Sequence, residues 1–275
     1  MRFILTFLAA VSLVVTGCDT FSGSDAQTAQ VSVQFKVIAP PANAAKGSFS
    51  SALDDGLIIE GTNGTLSITD IRLIVAEFEL ERDEECGDDD HGDECEEFSA
   101  PPFFADLPLE SGVVTVATGD LPPGRYTELE FEVEDLELDE GDDDDEQQQR
   151  NLLRSIRSTF PDWPSEASVM LVGSFTPLGG SPRPFRAFAE AEIEVELALT
   201  PALVITAEDD DQFLTVQVNP VVWFKAGDGS VLDLSAYDFE TTGRLLEFEL
   251  EIEDGFTGLE TEIEIDDEND DDDDD

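Results

Sequence analysis

Across 275 residues, 40% are hydrophobic and 19 are phenylalanine, enough apolar material to bury a core, so a wholly disordered polyanion is excluded. Sixty-six acidic against 13 basic residues leave a net charge of −53, which excludes nucleic acid as a partner and disfavours anionic membrane surfaces. The chain opens MRFILTFLAAVSLVVTGCDT, with one cation, Arg2, ahead of an apolar run from Phe3 to Val15 and small residues ending at Cys18. A basic start, an apolar stretch of this length and a small-residue processing site read as an export signal over residues 1–17, too short for a transmembrane helix.

Val15-Thr16-Gly17-Cys18 resembles the lipobox of bacterial lipoproteins, whose cysteine becomes the lipidated first residue of the mature chain. The resemblance implies acyl chains on Cys18 and a membrane partner through them, because two or more chains anchor stably where one holds marginally. Residues 18–30 read as a small, polar, flexible tether. No later stretch reaches membrane-spanning length without charges, so the rest is expected to lie outside the cytoplasm, on the periplasmic or surface face of a bacterial membrane.

VSVQFKVIA, residues 31–39, alternates and is expected to be the first strand. TLSITDIRLIVAEFELER, residues 65–82, reads as one long strand with a bulge or a fully buried stretch near Asp70. CGDDDHGDEC follows. With Cys18 assigned to lipid, Cys86 and Cys95 remain as a pair in an oxidising compartment, and a disulfide is expected in preference to a metal-thiolate site, whose spacing this is not. EFSAPPFFADL, residues 97–107, is the candidate return strand, which makes the disulfide loop a hairpin tip.

VVTVATG, residues 113–119, is short and β-branched, and a Pro-Pro-Gly turn then feeds GRYTELEFEVEDLEL. There the apolar phase changes from Leu129, Phe131 and Val133 to Leu136 and Leu138, which suggests a second bulge at Glu134-Asp135. Residues 145–160 are expected to form a short amphipathic helix, with Leu152, Leu153, Ile156 and Phe160 on one face and an arginine stripe of Arg150, Arg154 and Arg157 on another. SVMLVGSFT (168–176) and PFRAFAEAEIEVELAL (184–199) read as a hairpin, followed by strands at 202–206 and 213–219. Residues 245–254 fit either strand or helix, with strand preferred for its alternation, and 266–275 is an acidic tail expected to be disordered.

This pattern implies an antiparallel β-sandwich with one helix, as a single domain over 31–265 with 145–165 as the alternative place of subdivision. LPPGRYTELEFEV resembles prealbumin-like sandwich domains, where a Pro-Gly-x-Tyr turn launches a strand. With the lipobox and GTLSITDIRLIVAEFEL, the chain resembles uncharacterised bacterial envelope lipoproteins, which implies an envelope module without established catalysis. Its many carboxylates and few lysines also resemble the proteins of halophilic organisms, whose self-repulsion is screened in molar salt.

For catalysis no residues stand out. The one histidine, His91, lies between Asp90 and Gly92 in the acidic loop, and PLGGSPR lacks the Lys-Ser/Thr of a phosphate loop. A two-carboxylate hydrolase has 66 acidic candidates and no distinguishing pair; paired carboxylates beside Trp163 or Trp223 in a deep cleft are its requirement. No cofactor is expected, with calcium as the alternative: Asp88, Asp89, Asp90, Asp93 and Glu94 offer oxygens on a loop restrained by the disulfide, without the spacing of an EF-hand. The expected function is therefore a non-catalytic interaction or structural module with an envelope protein or glycan as partner. A calcium- or carbohydrate-binding module and an envelope hydrolase are the alternatives.

Overall fold

The computed structural model describes residues 29–38, 56–82, 98–109, 112–136, 144–206, 212–247 and 256–263. Three sheets carry the described chain. The first pairs β1 (Ala29–Val37), β7 (Val113–Leu121), β12 (Gln212–Val218) and β14 (Phe256–Ile263) in the order β14-β12-β1-β7. The second pairs β2 (Leu57–Glu60), β3 (Gly64–Val75), β9 (Val169–Pro177), β10 (Arg183–Glu190) and β13 (Leu246–Glu247) in the order β13-β10-β9-β3-β2, with β6 (Phe103–Asp106) also on β3. The third pairs β4 (Glu77–Arg82), β5 (Phe98–Ser99), β8 (Gly124–Val133) and β11 (Ile193–Ile205) in the order β11-β8-β4-β5.

This is the mostly β, sandwich-type architecture that the alternation implied. Most pairings are antiparallel; β1 with β12 and β10 with β13 are parallel. Val31, Val33 and Phe35 of the first sheet, Leu66, Ile68, Ile71 and Leu73 of the second, and Phe78, Leu129 and Phe131 of the third share one buried cluster. The Phe35 and Phe131 rings meet at 5.7 Å between centroids, joining the first sheet to the third.

Near Asp70 the expected bulge is present and decides which residues face inward. Ile68 pairs with Gly173 and Asp70 with Val172, so Thr69 is the extra residue. Before it the core takes Leu66 and Ile68; after it, Ile71, Leu73 and Val75. Gly173 is required opposite the bulge, because a Cβ there would stand 2.0 Å from the Ser67 carbonyl oxygen.

The stretch expected as one strand over 65–82 divides at Ala76, where the chain leaves the second sheet for the third. The Ile74 amide donates to Ser168 O at 2.8 Å, whereas the Ala76 amide donates to Glu132 O, on β8, at 2.9 Å. The expected strand over 184–199 divides in the same way between β10 and β11. Ser168, fully buried, ties the two crossings together: its hydroxyl donates to Ala191 O and accepts from the Ala191 amide, both at 2.9 Å. Strands that bend from one sheet into another make the corners of a sandwich. Of residues 202–206, expected as a separate strand, 202–205 belong to β11 around a register shift between Ala198 and Leu203, and β11 ends at Ile205.

Two smaller expectations also change. β1 starts at Ala29, inside the expected tether. The phase change at Glu134-Asp135 is the end of β8, beyond which Leu136 turns into a second core cluster. Pro220 caps a helical turn, α2 (Val221–Phe224). For the ambiguous C-terminal stretch, Leu246–Glu247 is strand and so are Phe256 and Leu259 within β14; residues 248–255 lie outside the described residues.

Helix α1 (Asp144–Thr159) matches the expected helix. Its Leu153 and Ile156 pack with Trp163 against Ile74, Met170 and Phe188, on the face of the second sheet away from the main core. Burial on both faces explains why VMLVGSF does not alternate. Among the described residues no helix is long and apolar enough to cross a membrane.

The turn before β8 is fixed by a buried tyrosine. The Tyr126 hydroxyl donates to Pro122 O at 2.9 Å, four residues upstream, as in the tyrosine corner of Greek-key sandwiches. Arg82 donates to Pro123 O at 2.5 Å, and its guanidinium lies 5.7 Å from the Tyr126 ring centroid. Tyr126→Phe leaves a carbonyl without its donor and is expected to cost roughly 1–3 kcal/mol, read as a lower urea midpoint at fixed high NaCl.

Candidate functional site

In the third sheet, EFELER, TELEFEV and IEVELA each place apolar residues inward and glutamates outward. Register then stacks the glutamates. Glu132 stands between Glu77 and Glu194; Glu130 between Glu79 and Glu196; Glu128 between Glu81 and Ala198. Eight carboxylates thus cover three rungs of one outer face, with no lysine or arginine in those rungs.

Like charges placed directly opposite one another destabilise a sheet. The central strand carries the consequence. Glu130 is pushed up to about 7, first by desolvation and then by the hydrogen bond and charge of Glu194. Glu128 and Glu132 are also raised, again by desolvation first and then by their acidic neighbours, Glu196 and Glu81 for one and Glu77 and Glu194 for the other. One carboxylate oxygen from each of Glu130, Glu132 and Glu194 lies within 4.8 Å of the other two. Such an arrangement holds a shared proton or draws cations to the face; a hard divalent cation would ask for further oxygens beyond these three.

The residues singled out in the sequence fall elsewhere. Cys18, Cys86, Cys95, Asp88, Asp89, Asp90, His91, Asp93 and Glu94 all lie outside the described residues, as does the 266–275 tail. The stems of the expected hairpin are described: β4 pairs with β5 through Glu79–Ser99 and Leu80–Phe98, so the acidic loop joins neighbouring strands of the third sheet. The glutamates were visible one strand at a time, but their alignment needs the register.

The two tryptophans lie in different surroundings. Trp163 is buried, donates from Nε1 to Ala167 O at 2.9 Å, and packs edge-on against Phe104 and Phe188, each at 5.2 Å. Trp223 lines a cleft of about 400 Å³ that also holds Asp233 and Glu247. Asp233 is committed there, paired with Arg183 at 2.8 Å and accepting from the Ser235 hydroxyl. On α1, Arg154 donates to Asn151 Oδ1 at 2.9 Å and Arg157 to Trp163 O at 3.3 Å, so these guanidiniums tie into the helix and the loop after it.

No family model matches the chain, and no curated protein does. Among solved structures, MbnP from Methylosinus trichosporium aligns at 14% identity with a TM-score of 0.32, over 69% of this chain and 76% of that one.

Proposed function

We propose that the chain is a lipid-anchored, non-catalytic envelope protein whose β-sandwich is an interaction or structural module built for concentrated salt. The observation that carries this reading is the outer face of the third sheet, where eight carboxylates in register form a surface that suits abundant counterions and suits dilute solution badly. The export signal and Cys18 supply the anchor, and an envelope protein or glycan is the partner.

Expression of the full chain in a bacterium, followed by detergent phase partition and mass spectrometry of the mature amino terminus, tests the anchor. Acyl chains on Cys18 and loss of membrane association in Cys18→Ser are expected; an unmodified Cys18 in a soluble product overturns it.

A calcium-binding surface module is the second reading, favoured by the close oxygens of Glu130, Glu132 and Glu194. Melting in CaCl2 and NaCl at matched ionic strength separates the two. Equal shifts are expected for an array that gathers counterions unspecifically. A saturable extra rise with calcium that Glu130→Gln removes would assign the cation to the lattice, and one removed by Asp88→Asn, Asp89→Asn and Asp90→Asn together would assign it to the loop.

A further inference from the structure

We infer that β7 is a self-association edge, at which two copies of this chain pair β7 with β7 across a two-fold axis and join their first sheets. The inference deepens the interaction-module reading and rests on it for its role. A strand at the edge of a sheet offers unpaired amides and carbonyls to any extended chain, and natural proteins blunt such edges with short strands, charges, proline or bulges.

The described edges show these devices one by one. β5 and β13 are two residues long, and β2 and β6 are four. β11 carries Glu194, Glu196 and Pro201, and β14 carries Glu260 and Glu262. β7 differs: it runs nine residues, and from Val113 to Gly119 it holds no acidic, basic or proline residue. Its pairing among the described strands is with β1 alone, and Val113, Thr115 and Thr118 are exposed.

Two blunting devices remain on β7: the exposed Asp120 near its end, and a bulge. Val33 pairs with Ala117 and Gln34 with Thr115, which leaves Val116 as the extra residue. A bulge tightens the local right-handed twist. Under a two-fold both copies carry the same bulge, so the twist of one edge meets its match in the other.

Charge selects a second copy as the occupant. A two-fold contact is isologous, so with the axis at Val116 the uncharged run Val113–Gly119 faces itself and the Asp120 of each copy falls just beyond its ends. The remaining charge, −53 per chain, acts at longer range, where molar salt shortens the Debye length to about 3 Å. Association should therefore strengthen as salt is added, the opposite of a contact between an arginine face and an acidic partner.

The chain from residue 18 onward with Cys18→Ser keeps every described element and removes the lipid. Sedimentation equilibrium in molar NaCl is expected to give a monomer–dimer equilibrium that shifts toward dimer with added salt. Thr115→Glu copies the charges seen on β11 and β14 and should weaken dimerisation about tenfold or more with the melting temperature held, while Thr115→Val should leave it intact. If Thr115→Glu does not fold, Thr118→Glu serves the same purpose. A monomer at every salt and protein concentration overturns the inference. So does a dimer that both glutamate variants leave untouched, and so does a monomer that captures an extended partner peptide at this edge. None of these results touches the acylation of Cys18 or the salt dependence of folding, which test the broader reading separately.

Discussion

At low ionic strength the protein should become more stable as the pH is lowered from 8 toward 5, the reverse of ordinary acid denaturation. Glu130 binds its proton at about 7 in the folded chain against a usual 4.5, and Glu128, Glu132, Glu190 and Asp70 are raised as well. Between those two values the folded state holds more protons than the unfolded one, so stability falls as pH rises through the window. The penalty is fully present above about 7 and gone below about 4.5. Asp228 is shifted the other way by its hydrogen bonds with Ser230; its contribution is present above its usual value of 3.8 and is lost only below the window.

Five directly opposed glutamate pairs stand in the three rungs. At ~0.2–0.5 kcal/mol each in dilute buffer, they amount to about 1–3 kcal/mol, or roughly 5 °C in melting temperature for a chain of this size. Molar NaCl should flatten the dependence by screening, and Glu130→Gln, which removes two of the five pairs, should lessen it without salt while raising the melting temperature at pH 8. A stability that declines steadily from pH 8 to pH 5 in dilute buffer would falsify the view that this lattice governs the protein's response to solvent.

The alternation of glutamate with apolar residues made the third sheet legible in the sequence, because each strand there has one wet and one dry face. Helix α1 was legible for the matching reason, with Leu152, Leu153, Ile156 and Phe160 at helical spacing. What stayed hidden was set by contacts between distant segments. At Ala76 and Ala191 the chain changes sheets while the alternation runs on, and nothing local marks the handover. β3, β9 and β10 bury both faces, which removes the periodicity that would have assigned one of them to the core. The parallel pairing of β1 with β12 joins residues about 180 positions apart, beyond the reach of turn signals. The glutamate lattice is a property of register in the same sense. Glu77, Glu132 and Glu194 each look like an ordinary solvated residue until pairing puts them side by side.

Replacing Trp163 with alanine should lower the urea midpoint substantially and leave the slope unchanged. The indole is 3% exposed, lies at the centre of an aromatic group with Phe104, Phe160 and Phe188, and donates to Ala167 O. Truncation of a buried tryptophan costs about 3–5 kcal/mol, and the lost hydrogen bond adds to the cost of the cavity. For a chain of this size that is about 10 °C in melting temperature.

The slope decides how the helix layer is coupled to the sandwich. If α1 were an independent unit, the variant would shed it locally, the slope would fall with the surface left to expose, and the sandwich would melt as before. The packing favours the cooperative outcome. Ile74, Met170 and Phe188, against which Trp163 and α1 rest, sit on β3, β9 and β10, the strands whose opposite faces hold Leu73, Leu171 and Ala187 in the main core. Arg72 links the layers further, paired with Asp70 at 3.0 Å and Asp106 at 2.9 Å while its guanidinium lies 5.0 Å from the Phe160 ring centroid. A cavity beneath those strands loosens a sheet shared by both clusters, so one transition with an unchanged slope is expected, and hydrogen exchange should show α1 and β9 losing protection together.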